Sequence, residues 1–247
     1  MMDAFVRAEE LSRCLERPGA RRLTRVGAGG AFGNALTVYV PGCNLACVHC
    51  WAGPEREDPL GGSSWWTHAE LRQCLRRHRR HSRLPASRKH LRISGGEAVL
   101  GSGVLELMEA LLRLPGRLSL ETNGVILGAQ PDLLRELEGF GARLHLNLSL
   151  KAGTAAQFER ITGARAEAWE ATWACLDRLR LGPLDFELNA LSLAPDLFSS
   201  EERSLLLQRL DALDPRLRSR LKEERLTDYP DTCRRMGKGV LTWEEGC

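Results

Sequence analysis

Leu36-Thr37-Val38-Tyr39-Val40-Pro41-Gly42-Cys43-Asn44-Leu45-Ala46-Cys47-Val48-His49-Cys50 is the stretch on which the reading of the fold turns. Its first five residues form an apolar, β-rich run of strand length. Pro41-Gly42 is a turn signal. Three cysteines follow at once, spaced C-x3-C-x2-C. Three thiolates can hold a 4Fe-4S cube by three of its irons and leave the fourth open, whereas electron-transfer cubes use four cysteines. Two other chemistries use the same residues. Cys47-x-x-Cys50 could be a thioredoxin-type redox pair, although such a pair opens a helix and needs no third cysteine. The three cysteines with one outside residue could bind structural zinc, although zinc modules usually carry a second paired ligand set, and the sequence shows none.

Working outward, strands and helices alternate. Ala4 to Glu16 reads as a short amphipathic helix ended by Pro18-Gly19, and residues 18–34 as a loop or loose hairpin. After the cysteine loop, Thr67 is an N-cap with Glu70 three residues on, and a helix follows to about His81. Further strands are expected at Leu91–Ser94, Arg117–Glu121, Leu144–Leu150 and Asp185–Leu191, with a last short one at Glu224–Thr227. Helices are expected at Val104–Leu114, Pro131–Leu137, Ala155–Ile161, Ala166–Leu181 and Ser200–Leu213. Such alternation implies βαβ units and a parallel sheet. Five or six units fall short of an eight-fold barrel.

The chain is 247 residues long, with 43% hydrophobic and 27% charged residues. It suits one sizeable domain with a small appendage. A net charge of +3 gives no support to a nucleic-acid role. No run approaches the roughly 20 apolar residues of a membrane span. The start, Met1-Met2-Asp3-Ala4, has no basic and apolar leader, so the eight cysteines are expected to be reduced, in a cytoplasmic setting. Arg76-Arg77-His78-Arg79-Arg80-His81-Ser82-Arg83 is the one strong basic run. It reads first as a solvated helix face and, without interleaved aromatics, gives little support to RNA binding. Trp65-Trp66 is either a packing staple or an exposed contact.

Suspicious residues stand just past the expected strands, where parallel β/α folds gather their chemistry. Ser94-Gly95-Gly96-Glu97-Ala98 follows the second; its glycines permit close backbone approach, and its carboxylate can pair with an ammonium group. Glu121-Thr122-Asn123-Gly124 ends the third, and Ser149-Leu150-Lys151 the fourth. Ser149 and Lys151 share a parity, with His145 and Asn147 lower on the same face. Glu187 and Asn189 are in register on the fifth.

Taken together, Cys43–Cys50, Ser94–Ala98 and Thr122–Gly124 resemble the motifs of the radical S-adenosylmethionine (radical SAM) superfamily, over roughly residues 35–191. The resemblance implies a partial (β/α)6 TIM-like barrel over 35–213, an N-terminal helix and loop extension over 1–34, and a tail over 214–247 that covers the barrel. It implies a 4Fe-4S cluster on Cys43, Cys47 and Cys50, with SAM on the open iron. Reductive cleavage of SAM would give a 5'-deoxyadenosyl radical for hydrogen abstraction. His49 departs from the family's common Tyr or Phe, and Trp51 is the substitute adenine surface. Gly95, Gly96 and Glu97 would hold the SAM amino group; Thr122 and Asn123 would face its cavity; Ser149, Lys151 and Asn189 would serve its carboxylate and ribose.

By motif the nearest likeness is to short glycyl-radical-enzyme activases, with Ser149 where those carry Asp. Phe158-Glu159-Arg160-Ile161-Thr162-Gly163 is similar to a segment in small radical SAM proteins of unassigned function. An activase would act on a protein glycine. The alternatives are a peptide or small-molecule substrate, or a zinc-stabilised binding module. A flavodoxin or ferredoxin would supply the electron. Cys74 and Cys175 are expected in the core. Cys233 and the terminal Cys247 are each either a hydrogen-donating thiol near the radical or an inert tail thiol, and Cys233 and Lys151 are the candidate catalytic residues.

Overall fold

Asp3 opens the first element, its carboxylate accepting from the Phe5 and Val6 amides to cap α1 (Ala4–Leu15). The computed structural model describes residues 1–28, 35–81 and 90–237. A small hairpin, β1 (Glu16–Arg17) and β2 (Ala20–Leu23), turns at Gly19, and β3 (Arg25–Ala28) follows. β2 and β3 lie within the segment 18–34 expected to be a loop or loose hairpin, whereas β1 precedes it and takes Glu16 from the end of the expected helix; residues 29–34 lie outside the described ones. Next come β4 (Leu36–Val40), the cysteine loop, α2 (Gly53–Glu57) and β5 (Ser64–Thr67). β5 was not anticipated: it pairs antiparallel with β2, and the guanidiniums of Arg17 and Arg22 lie over Trp65. Trp66 is half-buried against the core.

α3 (His68–His81) begins on the expected capping box, with Thr67 N donating to Glu70 at 2.8 Å and Glu70 N to Thr67 at 3.2 Å. Within its basic run Arg76, Arg77 and Arg80 are exposed. Arg79 is buried and donates to the Pro115 carbonyl. Ser82 and Arg83 lie outside the described residues. The alternation continues with β6 (Leu91–Gly95), α4 (Gly103–Leu112), β7 (Leu118–Thr122), α5 (Val125–Ala129), α6 (Pro131–Glu138), β8 (Leu144–Ser149), α7 (Ala155–Thr162), α8 (Ala166–Leu179) and β9 (Asp185–Ala190). It closes with α9 (Ser200–Leu213), β10 (Leu221–Glu223) and α10 (Pro230–Arg235). The last strand therefore falls at Leu221–Glu223, not at the expected Glu224–Thr227. The ladder sets its place: Leu221 aligns with Leu188, and Lys222 with Asn189.

The main sheet has the order β10-β9-β8-β7-β6-β4-β3. All neighbours from β4 to β10 are parallel, and β3 is an antiparallel edge. Six parallel strands with intervening helices make the partial barrel. Its sixth strand comes from the segment expected to be a covering tail.

Alternation divides each strand between two surfaces. Leu118 and Leu120, Leu144, Leu146 and Leu148, and Phe186 and Leu188 are buried in one apolar core under the helices. Ser119, Glu121, His145, Asn147, Ser149, Asp185, Glu187 and Asn189 take the other, concave face and are half-buried. Among the described residues no helix is long and apolar enough to cross a membrane.

Candidate active site

Three strand ends meet at the carboxyl edge of the sheet. Gly96 N donates to Val40 O and Glu97 N to Gly42 O, both at 2.7 Å, so the β6 end is laced onto the approach to Cys43. The glycines are required there. Gly95 has φ +109°, and a Cβ on Gly96 would fall 1.8 Å from the Gly42 oxygen. Glu97 is buried, at 2% exposure. Its carboxylate accepts from Val99 N at 2.8 Å, Thr122 Oγ1 at 2.7 Å and Asn123 N at 2.7 Å. Burial pushes its pKa up, against these hydrogen bonds and the positive charge of Lys151.

Asn123 carries the network onward. Its Nδ2 donates to Asn44 Oδ1 at 2.8 Å and lies 3.9 Å from the Cys43 sulfur. Val125 N donates to its Oδ1 at 3.0 Å. Thr122 and Asn123, expected to face a cofactor, thus have their polar atoms engaged in tying the β6 and β7 ends to the cysteine loop.

The loop itself is braced from several sides. Ala46 N donates to Thr162 O at 2.9 Å, and Val48 N to Ile161 O at 3.0 Å, so the end of α7 in the Phe158–Gly163 segment forms its floor. Leu45 N donates to the Cys43 sulfur at 3.4 Å. Arginines reach all three cysteine carbonyls: Arg7 Nε donates to Cys43 O at 2.9 Å, Arg56 to Cys47 O at 2.8 Å, and Arg235 to Cys50 O. Thr232 Oγ1 also approaches Cys50 O, at 3.5 Å.

The donor set fits a metal cluster. Burial, helped by the negative charge of Glu97, pushes the Cys43 thiol well above its ordinary pKa; burial pushes Cys47 up to about 11. Buried thiols of this kind ionise when a cationic centre displaces their protons. His49 Nδ1 and Asn44 Nδ2 are buried beside them without a hydrogen-bond partner. Among the described residues no three His, Cys, Asp or Glu side chains converge closely enough to share one metal ion.

Other expected residues line the approach. Burial, reinforced by the charges of Lys151, Arg235 and Arg56, lowers His49 to about 3, so its imidazole is neutral. Trp51 is 39% exposed and meets Tyr39 edge-on at 6.1 Å. Ser149 and Asn189 are direct neighbours in register, and Lys151 stands two residues past Ser149. Below them the concave face is polar and internally paired. Arg92 and Ser94 bond Glu121, His145 Nδ1 meets Asp185 at 2.9 Å, and Lys222 meets Glu187 at 2.5 Å. Asn147 Oδ1 is buried on this face without a partner. Cys233 is buried on α10, and Cys247 lies outside the described residues. Cys175 is a core thiol as expected, pushed by burial up to about 12, while Cys74 is half-buried near His78. All seven described cysteines are free.

The residues missed from sequence are Arg7, Arg56, Arg235, Asn44 and Thr162. Asn44 stood inside the quoted loop, and Thr162 inside a quoted segment. The arginines gave no signal, because they come from three separate helices in an arginine-rich chain.

The family profile described as Radical SAM superfamily matches residues 37–182. GTP 3',8-cyclase of Crocosphaera subtropica is 29% identical over 134 residues, covering 53% of this chain and 37% of the cyclase. That of Gloeobacter violaceus is 31% identical over 154 residues, covering 61% and 44%. This chain therefore spans less than half the length of these curated relatives. Among solved structures, Streptococcus suis SuiB bound to its precursor peptide SuiA superposes with a TM-score of 0.55 at 16% identity, covering 72% of this chain and 36% of SuiB. HydG, a maturase of the FeFe-hydrogenase, gives a TM-score of 0.52 at 12% identity, covering 90% and 46%. These last likenesses are of fold.

Proposed function

The chain belongs to the radical SAM superfamily, which uses a 4Fe-4S cluster and S-adenosylmethionine, and on that premise we propose a radical enzyme that acts on a polar substrate held in the concave face of its partial barrel. When bound, the cluster and SAM together supply a 5'-deoxyadenosyl radical for hydrogen abstraction. Cys43, Cys47 and Cys50 hold the cluster. The single observation that carries the reading is their convergence with the Gly95-Gly96-Glu97 and Thr122-Asn123 strand ends at the carboxyl edge of parallel strands.

The chain's own residues have separable tasks. Gly95 and Gly96 bring the β6 backbone against the loop, and their half-buried surface would receive the SAM amino group. Glu97 adds negative charge there while fastening Thr122 and Asn123. Lys151, Ser149 and Asn189 stand where a carboxylate and ribose hydroxyls would be met. Neutral His49 and half-exposed Trp51 offer flat surfaces for adenine. Glu121, Asn147 and Glu187 orient the substrate, and the leucine core on the other face of the sheet supports the strands that carry them.

Two substrate readings remain distinct. The Gly95-Gly96-Glu97-Ala98 and Thr122-Asn123-Gly124 strand ends support an activase acting on a protein glycine. The polar concave face supports a peptide or small molecule, and the relatives named above are cyclases, so this second reading is preferred. A one-electron donor of the flavodoxin or ferredoxin type is required in either case. The test is EPR of anaerobic, dithionite-reduced protein with and without SAM, followed by assay for 5'-deoxyadenosine. A cluster signal that shifts with SAM is expected. Stoichiometric zinc without iron would overturn the proposal. Turnover only in the presence of a partner protein would favour the activase.

A further inference from the structure

The three cysteines share a feature that the family match does not assign. The main-chain carbonyl of each accepts a hydrogen bond from an arginine, and the three arginines come from three different helices. Arg7 of α1 reaches Cys43 at 2.9 Å, Arg56 of α2 reaches Cys47 at 2.8 Å, and Arg235 of α10 reaches Cys50. Arg56 is buried, at 6% exposure, and also pairs with Glu57 at 2.6 Å. Arg235 has its Nε buried with no partner.

Gly53 provides an independent sign that Arg235 is accommodated. A Cβ at Gly53 would lie 1.9 Å from an Arg235 terminal nitrogen and 2.5 Å from its Cζ. The missing side chain is the space the guanidinium fills. Thr232, one turn earlier on α10, is fully buried and points its hydroxyl toward the same Cys50 carbonyl.

Geometry and charge act together here. A carbonyl held by a guanidinium fixes the peptide on either side and hence the direction of the neighbouring Cβ–Sγ bond. Guanidinium stays charged under all ordinary conditions and keeps that charge in partly buried settings. Lys151 adds positive charge near Cys47, and Glu97 negative charge near Cys43. Four cations, Arg7, Arg56, Arg235 and Lys151, thus stand against two carboxylates, Glu57 and Glu97, in a site where charges are weakly screened.

Resting on the cluster assignment above, we infer that Arg7, Arg56 and Arg235 form a cationic brace that positions the cysteine loop and raises the reduction potential of the cluster it holds. They are positioning residues, each one peptide group removed from a ligand. The brace also makes α10 part of the cluster site, although Arg235 lies 185 residues beyond Cys50 in the chain. Positive charge favours the more negative, reduced form, so its removal makes reduction harder.

The test uses the full chain, reconstituted anaerobically, with EPR-monitored redox titration of wild type and of R7Q, R56Q, R235Q, R235K and G53A. Glutamine keeps a hydrogen-bond donor and removes the charge, lysine keeps the charge, and Gly53→Ala displaces the Arg235 guanidinium with no change in charge count. Midpoints more negative than wild type are expected for the three glutamine variants and G53A, with R235K close to wild type. Iron loss to a chelator should be several-fold faster in the same four. Midpoints equal to wild type in R56Q, R235Q and G53A, at full cluster content, would overturn the brace. If a glutamine variant fails to fold, as read by circular dichroism of the apoprotein, G53A against R235K decides. Absence of any cluster in wild type would instead remove the assignment on which the brace rests.

Discussion

At the scale of single residues, side chains and backbone at the strand ends serve one another as much as any ligand. Gly95-Gly96 reads from the sequence as a place where backbone can approach a ligand closely; in the fold its nearest partners are Val40 and Gly42 of the same chain. Gly96→Ala should therefore cost about 1–3 kcal/mol of apoprotein stability, since backbone cannot retreat as a flexible side chain can. Gly62→Ala is the control, because a Cβ there meets nothing within 4 Å. Equal urea midpoints for the two variants would show that the β4–β6 contact tolerates a methyl group. Glu97 supports a second prediction. Thr122→Val removes one donor to its buried carboxylate and the acceptor of Gly124 N, at 2.7 and 3.1 Å. A loss of about 1–3 kcal/mol is expected, measured on metal-free protein so that cofactor binding does not contribute. An unchanged midpoint would free Glu97 of its clasp role. The Glu97 carboxylate was legible from its place after two glycines. Its three internal donors were not, since nothing in a linear sequence brings Val99, Thr122 and Asn123 to one carboxyl group.

Elements show where legibility depends on length. The five long parallel strands and the helices between them were readable because apolar alternation repeats over enough residues to set a period. α5 was missed: Val125–Ala129 has five residues, too few for a period, and it is held by contact with α8, where a Cβ on Gly128 would meet the Ala171 carbonyl at 1.7 Å. β5 was missed because Ser64–Thr67 owes its strand to β2 and to arginines over Trp65. β10 is three residues long and depends on its anchoring. Glu223 in it receives two hydrogen bonds from Arg203 of α9, both at 2.6 Å, and one from Ser192 at 2.7 Å. The Arg203 pairing holds the Glu223 carboxyl below its ordinary pKa. A depressed carboxylate contributes stability that is fully present above the ordinary range and fades as pH falls through the folded value. Glu223→Gln should thus cost about 1 kcal/mol near neutral pH, a figure kept low because Arg203 is partly exposed. The gap from wild type should close as the pH is taken below the ordinary carboxylate range and through the depressed folded value, read as urea midpoints along a pH series. A gap that is constant with pH would assign the effect to packing instead.

For the whole molecule, the decisive property is that one sheet divides two environments. The face under the helices is leucine-rich and dry; the concave face carries Glu121, His145, Asn147, Asp185 and Glu187, mostly in pairs. A parallel sheet covered on both faces reads as continuous apolar runs, so a polar alternate row is itself a sign that one face is kept for something else. Adjacent residues of β8 test the division. Leu146 is fully buried, whereas Asn147 has a side-chain oxygen without a partner. Leu146→Ala leaves a cavity and should cost about 2–5 kcal/mol while sparing SAM cleavage in molecules that remain folded. Asn147→Ala removes little that the fold uses and should fall within about 0.5 kcal/mol of wild type. Its effect should appear in product formation. Chemical denaturation of both variants, with 5'-deoxyadenosine measured on each, separates the outcomes. If Asn147→Ala unfolds as readily as Leu146→Ala, the concave face is a second packed core with no room for a substrate. If it stays stable but loses product, substrate recognition begins one residue away from the core that supports it.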